Sequence, residues 1–175
     1  MPEENGNEQK KKRFIDRLRS RKQKEPGMKG FERILVGVDF SLASRRAILL
    51  AQSLLGPDGF LYAIHVTPDI VDHTEMYLKE PGVKNLQQRV MHEAMSKLIE
   101  WAKKNKKAPC KLECVVAAGD PAAEIIKAAK SKGVQLIVLG VHGQKRSDLE
   151  IMGSTVDKVI RVSDCPVISV PTERI

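Results

Sequence analysis

The chain has 175 residues, 42% hydrophobic, 30% charged and only 4% aromatic, with a formal net charge of +8 and a sequence pI near 9.5. That is enough chain for one well-filled domain with an appendage. The scarcity of aromatics argues against a base-stacking surface for single strands, and no nucleic-acid partner is expected.

The charge is unevenly placed. Residues 1–30 hold ten Lys/Arg against five Asp/Glu, whereas residues 31–175 hold twenty against seventeen. The body is therefore only mildly basic. Residues 1–29 read as a basic tail, acidic and polar to Gln9, then strongly basic from Lys10 to Lys24. Phe14, Ile15 and Leu18 can share one helical face there, which suits an anionic membrane surface or an acidic partner protein. A solvated, disordered extension fits the same composition. Pro26-Gly27 and Gly30 mark the boundary with a domain spanning 30–175.

No apolar run reaches the length of a membrane span, and no secretory signal opens the chain. Cys110, Cys114 and Cys165 are an odd, sparse set and read as reduced thiols of a cytoplasmic protein. Cys110 and Cys114 lack the second ligand pair of a structural zinc site, so no metal ligand set is expected.

In chain order, Ile34-Leu35-Val36-Gly37-Val38 is a buried-strand run that ends at Asp39. Ser41 to Leu55 has a helical apolar face of Ala47, Ile48, Ala51, Leu54 and Leu55, and Gly56-Pro57-Asp58-Gly59 stops it. Phe60 to Val66 is a second strand. Thr67 to Asn85 shows no period and reads as a long loop. Leu86 to Lys107 is the clearest helix, with Val90, Met91, Ala94, Met95, Leu98 and Ile99 at three- and four-residue steps.

Lys111 to Ala117 is the third strand. Asp120-Pro121 starts a helix that ends at Gly133, as a cap followed by proline in the first turn. Leu136 to Leu139 is a short buried strand broken by Gly140 and Gly143. A helix follows Gly153, with Ser154 suited to cap it. The β-branched run Val167 to Val170 closes the series.

Strands alternating with helices imply a parallel α/β sheet covered on both faces. Ligands in such sheets bind at the carboxyl ends of the strands, at the topological switch point. Asp39 and Gly140 both lie at such ends. Glycines after a strand and a glycine with a hydroxyl at a helix start together have the form of an anion site. Each residue has a plainer role beside this one. Gly140 and Gly143 can be strand-to-loop punctuation, Asp39 can cap the first helix or its turn, and His142 can face solvent. His65, His73 and His92 fall on different elements and form no ligand set.

The spacing Gly140-x-x-Gly143, nine residues, Gly153-Ser154, with His142 between the first glycines and Cys165-Pro166-Val167 downstream, resembles the ATP-binding signature of the universal stress protein family. Ile34-Leu35-Val36 leading to Asp39, Ser41 and Ser44 resembles the family's N-terminal half. The resemblance covers roughly residues 31–172 and leaves the tail outside.

It implies a single open five-stranded parallel sheet in the order 3-2-1-4-5 with helices on both faces. It also implies a bound nucleotide, ATP, with Mg2+ held mainly by phosphates and water. Carried over, Asp39 meets the adenosine near the ribose, with Val38 beside it in the nucleotide site, and the backbone at Val66 faces the adenine. Gly140 lies against the ribose, where a side chain would collide, with Val141 next to it in the site, and His142, Gly143, Gly153, Ser154 and Thr155 hold the phosphates. The family commonly forms homodimers through the last strand, here Val167 to Val170.

Three positions depart from the pattern. Val141 stands where serine or threonine is common, Phe40 stands where glycine is frequent, and the stretch Gln144 to Met152 is more charged than usual. The implied role is an ATP-binding regulatory protein of the stress response. The alternative is a protein-interaction module that binds no nucleotide. No P-loop, dinucleotide turn or nucleophile elbow is present. No in-line base or carboxylate pair is recognisable, so no catalytic residue is assigned and at most slow ATP hydrolysis or autophosphorylation is expected.

Overall fold

The computed structural model describes residues 30–70, 82–141 and 153–171. The N-terminal tail lies outside these residues. Five strands form one sheet: β1 (Phe31–Gly37), β2 (Leu55–Thr67), β3 (Lys111–Ala118), β4 (Leu136–Gly140) and β5 (Val167–Val170). All neighbours run parallel, in the order β3-β2-β1-β4-β5. The helices are α1 (Leu42–Leu54), α2 (Gly82–Asn105), α3 (Pro121–Lys132) and α4 (Ser154–Val162).

The order follows from handedness. Right-handed crossovers that step one way from β1 put their helices on one face, and crossovers that step back put theirs on the other. The core accordingly divides in two. Ile34, Val36 and Val38 pack with Ala47, Ile48, Ala51, Leu98 and Ala102 of α1 and α2. Leu35, Ile64, Ile137 and Leu139 pack with Ile125, Ala129, Val156 and Val159 of α3 and α4. The alternation along β1 assigns successive residues to opposite layers. Each fully buried Ile or Leu contributes about 1.5–3 kcal/mol.

α3 is specified locally. Asp120 is its N-cap and accepts from the Ala123 N–H at 3.1 Å, proline occupies the first turn, and Gly133 closes it at φ 57°. The Ala123 N–H, and after it Lys158, hold the Asp120 carboxyl below its ordinary range. A lowered carboxylate pKa stabilises the fold above the ordinary carboxylate range, and the contribution is lost as pH falls through the lowered value. Asp120→Ala is expected to cost about 1 kcal/mol at neutral pH in urea unfolding. Asp120→Asn keeps most of the cap and loses this part of the pH dependence.

Several boundaries differ from the sequence expectation, β1 for one beginning at Phe31 rather than Ile34. Gly56 to Gly59 does not separate α1 from β2. β2 begins at Leu55, and the extra residues form a bulge, with Phe31 paired to Leu55 and Arg33 already paired to Phe60. Asp58 takes up the irregularity at φ 62°. α2 starts at Gly82 rather than Leu86 and ends at Asn105. Its apolar stripe is only partly core: Leu98 is fully buried, whereas Ile99 is exposed.

Candidate functional site

The strand ends that converge are those of β1, β2 and β4. Val36 pairs with Val138, so two residues further along Val38 is level with Gly140. This is the switch point, with α1 leaving β1 on one face and α4 following β4 on the other.

On the β1 side, the chain is held before it turns. The Val38 N–H donates to Ile64 O at 2.8 Å, and the Val38 carbonyl lies 2.7 Å from His65 Nδ1. Asp39 then folds back, its Oδ1 accepting from the Ser41 N–H at 3.0 Å. Ser41 itself is the N-cap of α1 and accepts from the Ser44 N–H. Asp39 therefore shapes the turn rather than capping the helix. Val66 lies at the end of β2, paired with Ala117. The end of that strand is tied by Gly119 N–H to Thr67 O and Thr67 Oγ1 to Ala117 O.

Phe40 is the feature the spacing did not reveal. Its backbone has φ 65°, a left-handed conformation that costs a side-chain-bearing residue about 1–2 kcal/mol. The ring offsets this by packing. It lies 4.6 Å from the His65 ring and 6.0 Å edge-on from Trp101, with Lys97 Nζ 4.3 Å above it. Glycine suits that position because of its backbone, and phenylalanine holds it through contacts to α2. Phe40→Ala is expected to destabilise by about 2 kcal/mol, less than a fully buried ring because Phe40 is half-buried. Phe40→Gly should cost about 1 kcal/mol less than Phe40→Ala, because it removes the strain with the ring. Urea midpoints of the two variants measure the difference.

On the β4 side, Gly140 sits against α1. A Cβ there would lie 2.6 Å from Ala43 Cβ, 2.9 Å from Ala43 C and 3.0 Å from Ser44 N. The close approach that requires glycine is thus to the first turn of α1. Val141 is buried, its N–H donating to Val170 O at 2.9 Å. Its carbonyl accepts the Gly153 N–H at 3.1 Å. This clasp joins the end of β4 to the start of α4.

The start of α4 corrects one expectation. The N-cap is Gly153, with no side-chain capping bond, and Ser154 is the first helical residue. Ser154 does not cap, because Gly153 is drawn to Val141 and Ser154 falls inside the first turn. The first-turn amides therefore keep no side-chain acceptor from the cap, and Ser154 is exposed. An uncapped helix start carries unsatisfied N–H groups and the positive end of the dipole. Val38, Asp39, Gly140, Val141, Gly153, Ser154 and Thr155 thus surround the β1/β4 end of the sheet, with Val66 at the end of the next strand. His142 and Gly143 lie outside the described residues, as does Gln144 to Met152.

Among the described residues no group of three or more His, Cys, Asp or Glu is arranged to hold a metal ion. Burial pushes the Cys110 and Cys114 thiols above their ordinary value, which disfavours the reactive thiolate. Within the same residues no helix is long and apolar enough to cross a membrane.

Residues 30–171 match the model of the universal stress protein family. The chain is 33% identical over 147 residues to universal stress protein YxiE of Bacillus subtilis, covering 80% of this chain and 99% of that one. The solved structure of protein MJ0577 superposes with a TM-score of 0.65 at 23% identity, over 82% of this chain and 98% of its own. A universal stress protein solved in complex with cAMP superposes at 0.54 and 19% identity, over 82% and 99% of the two chains. At these identities the two structures establish a shared fold.

Proposed function

The chain belongs to the universal stress protein family, and on that premise we propose that it is an adenine-nucleotide-binding regulatory protein of the stress response. The observation that carries the reading is the uncapped start of α4 clasped to Val141 at the switch point. Anions bind helix starts of this kind through free amides and the dipole. A relative of the same fold is solved with cAMP, an adenine nucleotide.

In this reading Val38 and Asp39 define the ribose side and the Val66 backbone the base edge. Gly140 and Val141 form the floor, and Gly153, Ser154 and Thr155 hold phosphate together with His142 and Gly143. ATP is the proposed ligand, with Mg2+ held by phosphates and water. Regulation by occupancy is the proposed role, in keeping with a sequence in which no in-line base or carboxylate pair is recognisable. The proposed setting is the cytoplasm.

β5 lies at the open edge of the sheet, and such edges pair with a second chain. A homodimer through Val167 to Val170 is proposed with or without nucleotide. Native mass spectrometry of the purified chain tests both points. The expected result is a dimer carrying one adenine-nucleotide mass increment per subunit. A dimer without any increment, even after ATP is added, would favour the interaction-module reading instead.

A further inference from the structure

A second charged feature lies at the other end of the sheet and is independent of the nucleotide reading. Lys103, Lys104, Lys106, Lys107 and Lys111 are all exposed around the turn from α2 into β3. Lysine at a helix C-terminus complements the dipole, which accounts for Lys103 and Lys104. Lys106, Lys107 and Lys111 lie beyond the helix, so the dipole gives no reason for them.

The corner is built rigidly. Gln52 of α1, only 7% exposed, donates through Nε2 to Asn105 O at 3.0 Å. Its Oε1 accepts the N–H groups of Lys107 and Ala108 at 2.6 and 3.0 Å. Asn105 Nδ2 adds a bond to Trp101 O. A buried amide used at both ends fixes the backbone that carries the lysines. None of the five is in an ion pair among the described residues, whereas Lys130 and Lys132 nearby are matched by Asp164 and Glu113. Glu32, Asp58 and, one turn before Lys103 and Lys104 on α2, Glu100 are the other exposed carboxylates near this end of the sheet, and none of them is within ion-pair distance of the five lysines.

The parallel register sets the neighbours. Lys111 is level with Phe60 and, through it, with Arg33. Lys111 Nζ stands 4.7 Å over the Phe60 ring, itself 37% exposed. Gly30, three residues before Arg33, is where the basic segment of residues 1–29 joins the domain. The lysine corner and Gly30, the residue that follows the basic segment in sequence, therefore both lie at the amino ends of the strands, opposite the proposed nucleotide.

We propose that the lysine corner from Lys103 to Lys111 is a docking face for an anionic lipid surface. Lysines beside an exposed ring, next to a segment carrying Phe14, Ile15 and Leu18 among its basic residues, match the composition of interfacial binders. Nucleic acid fits less well, because the corner is a compact patch with one exposed ring rather than a groove lined by stacking platforms.

The test uses the full chain with vesicles of phosphatidylcholine, with and without phosphatidylserine. The wild type should pellet only with the anionic vesicles, and less so as salt rises. Replacing all five lysines by glutamine leaves the N-terminal segment intact, so any change reads the corner alone. That variant should partition more weakly by roughly tenfold or more. A five-arginine variant should bind as the wild type does, which controls for folding. Equal pelleting of the glutamine variant and the wild type would overturn the proposal, as would failure of the wild type to pellet. Tighter, lysine-dependent binding to a single-stranded RNA oligonucleotide would overturn it as well.

Discussion

Gly140→Val is expected to cost the fold about 3 kcal/mol, the upper end of what overpacking a core usually costs. The reason is which atoms the added side chain would meet. Two of the three nearest neighbours of a Cβ at this position are backbone atoms of α1, Ala43 C and Ser44 N. Backbone cannot step aside by changing rotamer, so α1 would have to lift from β4 as a body. α1 supplies Ala43, Ala47, Ile48 and Ala51 to one core layer, and lifting it loosens all of them. Domains of this size are stable by only about 5–15 kcal/mol, so a loss of this order is a large fraction. The urea midpoint of Gly140→Val should fall by the equivalent of this loss already in the absence of ATP. Gly140→Ala should show a smaller fall in the same direction.

Gly153→Val should behave in the opposite way, losing nucleotide and sparing the fold. A Cβ at Gly153 would lie 2.7 Å from the Val141 carbonyl oxygen. That oxygen is the acceptor of the Gly153 N–H, so the substitution opens the clasp that sets the first turn of α4. Gly153 itself lies outside the buried core, and Val156 and Val159 still anchor the helix from below. The expected result is a loss of ATP affinity of roughly tenfold or more, equivalent to about 1.4 kcal/mol, measured by calorimetry. The urea midpoint should move little. The two glycines sit on either side of Val141, yet the packing of α1 depends on the first and the clasp to α4 on the second.

Much of the architecture was legible because short apolar runs and capping residues are local signals. Asp120, Pro121 and Gly133 were read as the limits of α3 and stand where the physics of helix ends puts them. The strand order came from resemblance, since periodicity alone does not say which strands are neighbours. What was not legible depends on contacts between distant segments. Gly140 is required by Ala43, almost a hundred residues earlier. The bulge at Gly56 to Gly59 looked like a stop because glycine, proline and aspartate mark turns and bulges alike. Ser154 looked like a cap because serine usually is one, and only the pull of Val141 on Gly153 moves the cap back one residue. Phe40 carried a faint signal, as a large residue where the family favours glycine. Its backbone at φ 65° explains the glycine, and its contacts to His65, Trp101 and Lys97 explain the exception.

An isothermal titration of the full chain with ATP and Mg2+ tests the central claim most directly. The account predicts saturable binding of one nucleotide per subunit, abolished or strongly weakened by Gly153→Val. No heat of binding and no saturation at millimolar ATP, in a folded wild-type protein, would contradict it.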